Sequence, residues 1–192
     1  MNPTMKRNQR NHYRAGFTLV ELMIAIAILG VIMGLAAPTM GDFVRNTRLN
    51  TTVDQLTTAL NLARSEAIKR NLSAIVCPRL NNTATACATG AAIAAAWVNG
   101  WLVCYDNNAD GVCDPDTGAG TAASLPNPIR VFNPLGSQLT LTGPASVVRF
   151  NSIGTQGTPP AAVIFTMSGT WTGVAPHATT VQATGNISTK KN

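Results

Sequence analysis

Residues 16–38, GFTLVELMIAIAILGVIMGLAAP, limit what this chain can become more than any other stretch. Positions 22–37 carry no charge at all. As a helix rising 1.5 Å per residue, positions 17–37 reach roughly 30 Å, about the thickness of a bilayer core. One acid, Glu21, sits inside the run, where an unpaired carboxylate costs several kcal/mol. Its presence there marks a functional position. The best partner for it is a positive group at the start of a neighbouring copy of the same helix.

A signal peptide would share the basic flank of Lys6, Arg7, Arg10 and Arg14. Its apolar core would be shorter, however, and Pro38-Thr39-Met40 is a poor small-x-small cleavage site. Basic flanks favour the cytoplasmic side, so residues 1–15 are expected inside and those after about 40 outside. The flank also distorts the charge balance. It holds four of the 14 basic residues, leaving ten against eight acids. That near-neutral remainder is weak ground for nucleic-acid binding, which needs a basic stripe. The 192 residues leave room for one small domain after the helix.

Gly30 and Gly34 form a small-xxx-small pair suited to close helix contact. Pro38 removes a helical hydrogen bond and is expected to bend the helix. Beyond it, Leu49, Val53, Leu56, Leu60, Ala63 and Ala67 alternate spacings of four and three, which predicts one apolar stripe on a helix packed against a sheet. After Asn71 the pattern changes to short β-like runs at 73–77, 101–105, 129–132, 139–141, 147–150, 163–167, 179–183 and 186–189, separated by Gly, Pro and Asn turns. Trp97, Trp101, Phe132, Phe150 and Phe165 are the large groups available for its core.

The four cysteines are Cys77, Cys87, Cys104 and Cys113. An even count in an exported domain argues for disulfides, and four cysteines allow three pairings. The sequence-adjacent one, Cys77–Cys87 with Cys104–Cys113, would close two short loops that have little else to hold them. A zinc site lacks CxxC spacing and nearby histidines. Asp106, Asn108 and Asp110, followed by Gly111, follow the first half of a calcium loop. The closing glutamate is absent, with Thr117 at the twelfth place, Asp114 at the ninth and Asp116 at the eleventh. An Asn/Asp/Gly-rich hairpin turn is the expectation, and calcium the alternative. The two histidines, His12 and His177, have no acid or nucleophile close in sequence, and no phosphate loop, metal helix or nucleophile elbow is present. Hydrolase and transferase readings have no residues to stand on.

The run Gly16-Phe17-Thr18-Leu19-Val20-Glu21 resembles the processing motif of type IV pilins and of the pseudopilins of type II secretion systems. Arg64-Ser65-Glu66-Ala67, Trp97-Val98-Asn99-Gly100-Trp101 and Phe150-Asn151-Ser152-Ile153-Gly154 resemble segments of the GspH/FimT branch. The resemblance implies an α+β pilin-like fold: a long N-terminal helix, half membrane-spanning and half amphipathic, packed on an antiparallel β-sheet domain. It implies a cleaved leader (1–16), a transmembrane and assembly helix (17–40), its amphipathic continuation (41–71) and a periplasmic β domain (72–192).

Prepilin peptidase is expected to cut between Gly16 and Phe17, with N-methylation of Phe17. Glu21 and Pro38 then serve assembly, Glu21 pairing with the Phe17 amine of the next subunit. Arg64 and Glu66 are expected to be surface or local-pair residues. Implied partners are the inner membrane and other major and minor pilins or pseudopilins. The expected role is a minor pilin that primes assembly or sits at the filament tip. A minor pseudopilin of type II secretion is one alternative. Another is DNA capture, for which some relatives carry Gly-Arg-x-Arg near the C-terminus. Here the matching stretch, 185–191, lacks the arginines and keeps only Lys190 and Lys191, with Arg130 and Arg149 elsewhere.

Overall fold

The computed structural model describes residues 16–114, 127–158 and 161–192, without the side chains of 35–39 and 158. The leader up to residue 15, Asp116 and Thr117 lie outside the described residues. One long helix, α1 (Leu19–Arg70), is followed by β1 (Ala74–Pro78) and a chain of short helical turns (Gly90–Ala92, Ile93–Ala96, Trp97–Asn99). Then come β2 (Trp101–Tyr105), β3 (Arg130–Val131), β4 (Leu139–Thr142), β5 (Val148–Phe150), β6 (Gln156–Thr158), β7 (Val163–Gly169), β8 (His177–Val181) and β9 (Ile187–Lys191). The chain divides into two units, with the boundary between Phe43 and Val44.

In the first unit the helix exposes apolar side chains on every face among the described residues. Ile24, Ile28 and Ile32 are each more than half exposed, and a Cβ built on Gly30 or Gly34 meets no atom within 4 Å. α1 continues through position 38 as one element. Among the described residues no helix is long and apolar enough to cross a membrane. The part of the apolar run with described side chains stops at Gly34.

In the second unit the predicted stripe is the buried face of α1. Leu49, Val53, Leu56, Leu60, Ala63 and Ala67 are all buried, at 4% exposure or less. Each such leucine contributes about 1.5–3 kcal/mol of transfer free energy. The helix ends in a Schellman turn. The Leu72 amide donates to the Ala67 carbonyl (3.2 Å) and the Asn71 amide to that of Ile68 (3.3 Å). Asn71 takes the left-handed conformation (φ 56°) that this stop requires.

The β region is antiparallel, as expected, and forms two sheets, ordered β3-β2-β1-β5-β6 and β4-β7-β8-β9. Both contribute to one core with the helix stripe, built around Trp97, Trp101, Phe132, Phe150 and Phe165. The Trp97 and Phe165 rings meet edge to face at 4.8 Å, and the Trp97 indole N–H donates to the Pro144 carbonyl (2.9 Å).

Strands β1 and β2 are buried at every position. Ala74, Val76, Trp101 and Val103 face the helix core. Ile75, Cys77, Leu102 and Cys104 face a second apolar cluster with Cys87 and Val147. That two-sided burial explains the unbroken apolar sequences AIVC and WLVCY, which alternation alone does not predict. β6 had no sequence signal. Its Gln-Gly-Thr composition lacks apolar alternation, and it is held by pairing with β5 across a register shift.

Candidate assembly terminus and helix-docking site

The start of α1 is a reciprocal cap. The Glu21 carboxylate accepts from the Thr18 amide (3.0 Å) and hydroxyl (3.1 Å), while the Glu21 amide donates to the Thr18 hydroxyl (3.2 Å). Thr18-Leu19-Val20-Glu21 is thus a capping box, satisfying amides that a helix N-terminus leaves free. Within one chain, then, Glu21 already has a partner three residues away. Phe17 just before it is 89% exposed, and nothing lies within 4 Å of a Cβ built on Gly16.

The other end of α1 docks on the β region through Arg64-Ser65-Glu66-Ala67. Arg64 does not stay local, as expected of it. Its Nε donates to the Gly154 carbonyl (2.9 Å), 90 residues away. Glu66 does pair locally, with Lys69 (3.8 Å) and Arg70 (3.4 Å). It also accepts from the Tyr105 hydroxyl at the end of β2 (2.8 Å). That bond is the main cause holding the Glu66 carboxyl below its usual range. Burial, then the same bond, pushes the Tyr105 hydroxyl up to about 12. Ala67 is fully buried in the core, where a larger side chain would lift the helix off the sheet.

Gly154 ends the Phe150-Asn151-Ser152-Ile153-Gly154 turn with φ 80°, its amide donating to the Asn151 carbonyl (2.8 Å). Gly185, also at φ 80°, approaches so closely that an added Cβ would lie 1.9 Å from the Gly154 carbonyl oxygen. The Gln156 amide donates to the Ala183 carbonyl (3.0 Å). The turns after β5 and β8 therefore press together beneath Arg64, and this is where the two sheets and the helix are joined. Farther up α1, the Thr57 hydroxyl meets that of Thr189 on β9 (3.2 Å), which in turn meets Thr179 on β8 (3.0 Å). Sequence reasoning missed Tyr105, Gly154 and Gly185 in these roles. The glycines carried the only available signal, two F-N-x-x-G-like and Thr-Gly-Asn turns, and sequence gives no distance between turns.

Both expected disulfides are present, Cys77–Cys87 and Cys104–Cys113. Inside the second lies the Asp106–Gly111 turn. Asp106 is fully buried. Its carboxylate accepts from the amides of Asp110 and Gly111 (3.1 Å each) and pairs with Arg149 at 2.5 Å. Asn108 and Asp110 bond to each other. Arg149 thus supplies the counter-charge to Asp106, and the turn closes on its own side chains. Asn127 bridges the ends of the excursion by donating to the Tyr105 and Asp114 carbonyls.

Lys190 and Lys191 lie exposed on β9, the edge of the second sheet. Arg130 sits on β3 of the first sheet, over the Phe132 ring (5.2 Å), and Arg149 is committed to Asp106. The structure thus spreads these four cations over two sheets. Lys191 pairs in register with His177, a buried histidine whose pKa is lowered by burial first and by Lys191 second, against an opposing pull from Asp54.

Comparison with known proteins agrees with this architecture. The chain resembles the crystal structure of the type IV minor pilin FimU of Pseudomonas aeruginosa, with a TM-score of 0.50 and 18% identity over 77% of this chain and 92% of that one. A second crystal form of FimU gives a TM-score of 0.47 at 17% identity, over 73% and 91%. The pilin-like protein PilA1 of Thermus thermophilus is 41% identical over 58 residues, covering 30% of this chain and 36% of that protein. The chain thus spans about a third of that relative's length. The prokaryotic N-terminal methylation motif matches residues 11–37. Type II transport protein GspH matches residues 52–186, which is most of the chain, and the chain belongs to the GspH family.

Proposed function

We propose that this chain is a minor pilin of a type IV pilus. It enters the inner membrane as a precursor with residues 1–16 in the cytoplasm and the β domain outside. Prepilin peptidase cuts between Gly16 and Phe17, the Phe17 amine is methylated, and the mature chain joins other pilins to prime a filament or occupy its tip. It is a structural subunit, and no catalytic step is assigned to it. The observation that carries this reading is the capped helix behind the methylation motif, whose described apolar side chains from Leu19 to Met33 are exposed. Such a helix needs lipid or neighbouring helices to cover it.

The same geometry supports an assembly role for Glu21. In one chain it caps its own helix. In a filament, the cationic Phe17 amine freed by cleavage in a neighbour offers a stronger, charge-assisted partner. Intact mass of the membrane-extracted chain is the direct test. Loss of residues 1–16 plus one methyl group is the expected result, and an uncut chain beside an active prepilin peptidase would exclude it. Glu21→Ala is expected to leave cleavage intact and abolish incorporation into filaments.

The family description supports a second reading, a minor pseudopilin of type II secretion. Deleting the gene separates the two: loss of surface pili supports the first, and loss of exoprotein secretion with pili unchanged supports the second.

A further inference from the structure

The two disulfides are not separate staples. The four cysteine sulfurs all lie within 4.8 Å of one another, and Cys87 Sγ of one bridge is 3.4 Å from Cys113 Sγ of the other. The convergence comes from the sheet. Cys77 pairs in register with Leu102, and Ile75 with Cys104, so Cys77 and Cys104 point from adjacent strands into the same apolar cluster. Each then draws its partner in from an excursion of the chain, with Cα separations of 5.6 and 5.3 Å. The group contains cysteines alone. Cys77 and Cys104 are fully buried, and Cys87 is 4% exposed. Ile75, Leu102, Val147 and Ile93 pack around them. Cys113 is half-buried, leaving a side for entry. A cavity of about 480 Å³ lined by Ala88, Gly111 and Val147 opens beside the cluster.

We propose that, when both disulfides are reduced, these four sulfurs form a tetrahedral zinc site. Zinc bound by four thiolates at about 2.3 Å has sulfur–sulfur edges of about 3.8 Å. Between the bridges one pair stands at 3.4 Å and none lies beyond 4.8 Å, so the main change needed is a widening within each bridge. The strands fix two ligands and the excursions bring two adjustable ones. An all-sulfur tetrahedron selects a soft metal over calcium or magnesium. Each disulfide takes two electrons and two protons from an external dithiol, which leaves as its own disulfide, and its sulfur–sulfur bond becomes two thiols. Zinc then displaces four protons as four zinc–sulfur bonds form. The oxidised chain has no thiolate to offer and binds none. The site is invisible to spacing rules because its ligands meet across a strand pair rather than within a CxxC turn.

The test uses the full chain in detergent, reduced with a dithiol that is then removed under nitrogen. Cadmium is titrated in while the thiolate-to-metal absorption is followed, with zinc as competitor and circular dichroism recorded alongside. The expected result is saturation at one equivalent, displacement by zinc, and a native β signal in the metal-loaded chain. The unreduced chain gives no band, and Cys87→Ser and Cys113→Ser each weaken binding at least about tenfold. Absence of the band, binding that neither serine variant weakens, or a reduced chain that stays unfolded with metal would each overturn the proposal.

Discussion

Gly185 shows how little room the join between the sheets leaves. It needs φ 80°, and an added methyl would fall 1.9 Å from the Gly154 oxygen. Gly185→Ala is therefore expected to cost about 2–3 kcal/mol, from the backbone conformation and the clash together. Gly136→Ala, with no atom within 4 Å, should stay within about 0.5 kcal/mol. Urea unfolding of both variants checks the contrast. Tyr105 and Glu66 form the second residue-scale contact. Tyr105→Phe should cost about 1–2 kcal/mol at neutral pH, since a hydrogen bond to a charged group is lost. Glu66 has a lowered folded pKa. Its contribution is therefore present above the ordinary carboxyl value of 4.5 and lost as pH falls through the folded value. The Tyr105 proton gives the opposite edge. Its raised value stabilises the fold below the ordinary 10.0, and that contribution disappears as pH rises toward about 12. Unfolding curves at acid, neutral and alkaline pH should show wild type and Tyr105→Phe converging at both extremes.

At the scale of elements, α1 is one helix with two environments. Its stripe from Leu49 to Ala67 is buried, whereas its described residues from Leu19 to Gly34 are exposed all round. Leu60→Ala is expected to destabilise the second unit by about 2–5 kcal/mol, because the site is fully buried and a cavity remains. Ile28→Ala, at 55% exposure, should leave the unfolding midpoint of that unit unchanged. Calorimetry on both variants distinguishes them. The stripe was legible in the sequence because helix periodicity records burial on one side. The strands at 101–105 and 163–167 were legible for a similar reason, being β-branched or aromatic runs between turns. Arg64 was misread as local because its partner is a backbone carbonyl 90 residues away, and a carbonyl leaves no mark on side-chain pattern. β6 was missed because a Gln-Gly-Thr strand is defined by its neighbour's hydrogen bonds and not by its own side chains.

At the scale of the whole molecule, every residue of both buried clusters lies beyond Val44. A chain starting at Val44 is therefore expected to fold alone, with one cooperative transition and both disulfides. Size-exclusion chromatography and calorimetry of that fragment test this: an aggregated or non-cooperative product would show that the first unit is needed for folding. The sequence by itself determined the apolar N-terminal helix, its processing motif, the buried stripe and the short-strand β region. These are recorded in local composition and period, which depend on near neighbours along the chain. Tertiary structure alone decided that the strands divide into two sheets, that Arg64 clamps the Gly154 and Gly185 turns, and that four cysteines from two strands and two excursions meet in one cluster. Each of those depends on which distant segments come together. That is set by the packing of strand pairs and backbone groups, about which a one-dimensional pattern of side chains carries no distance.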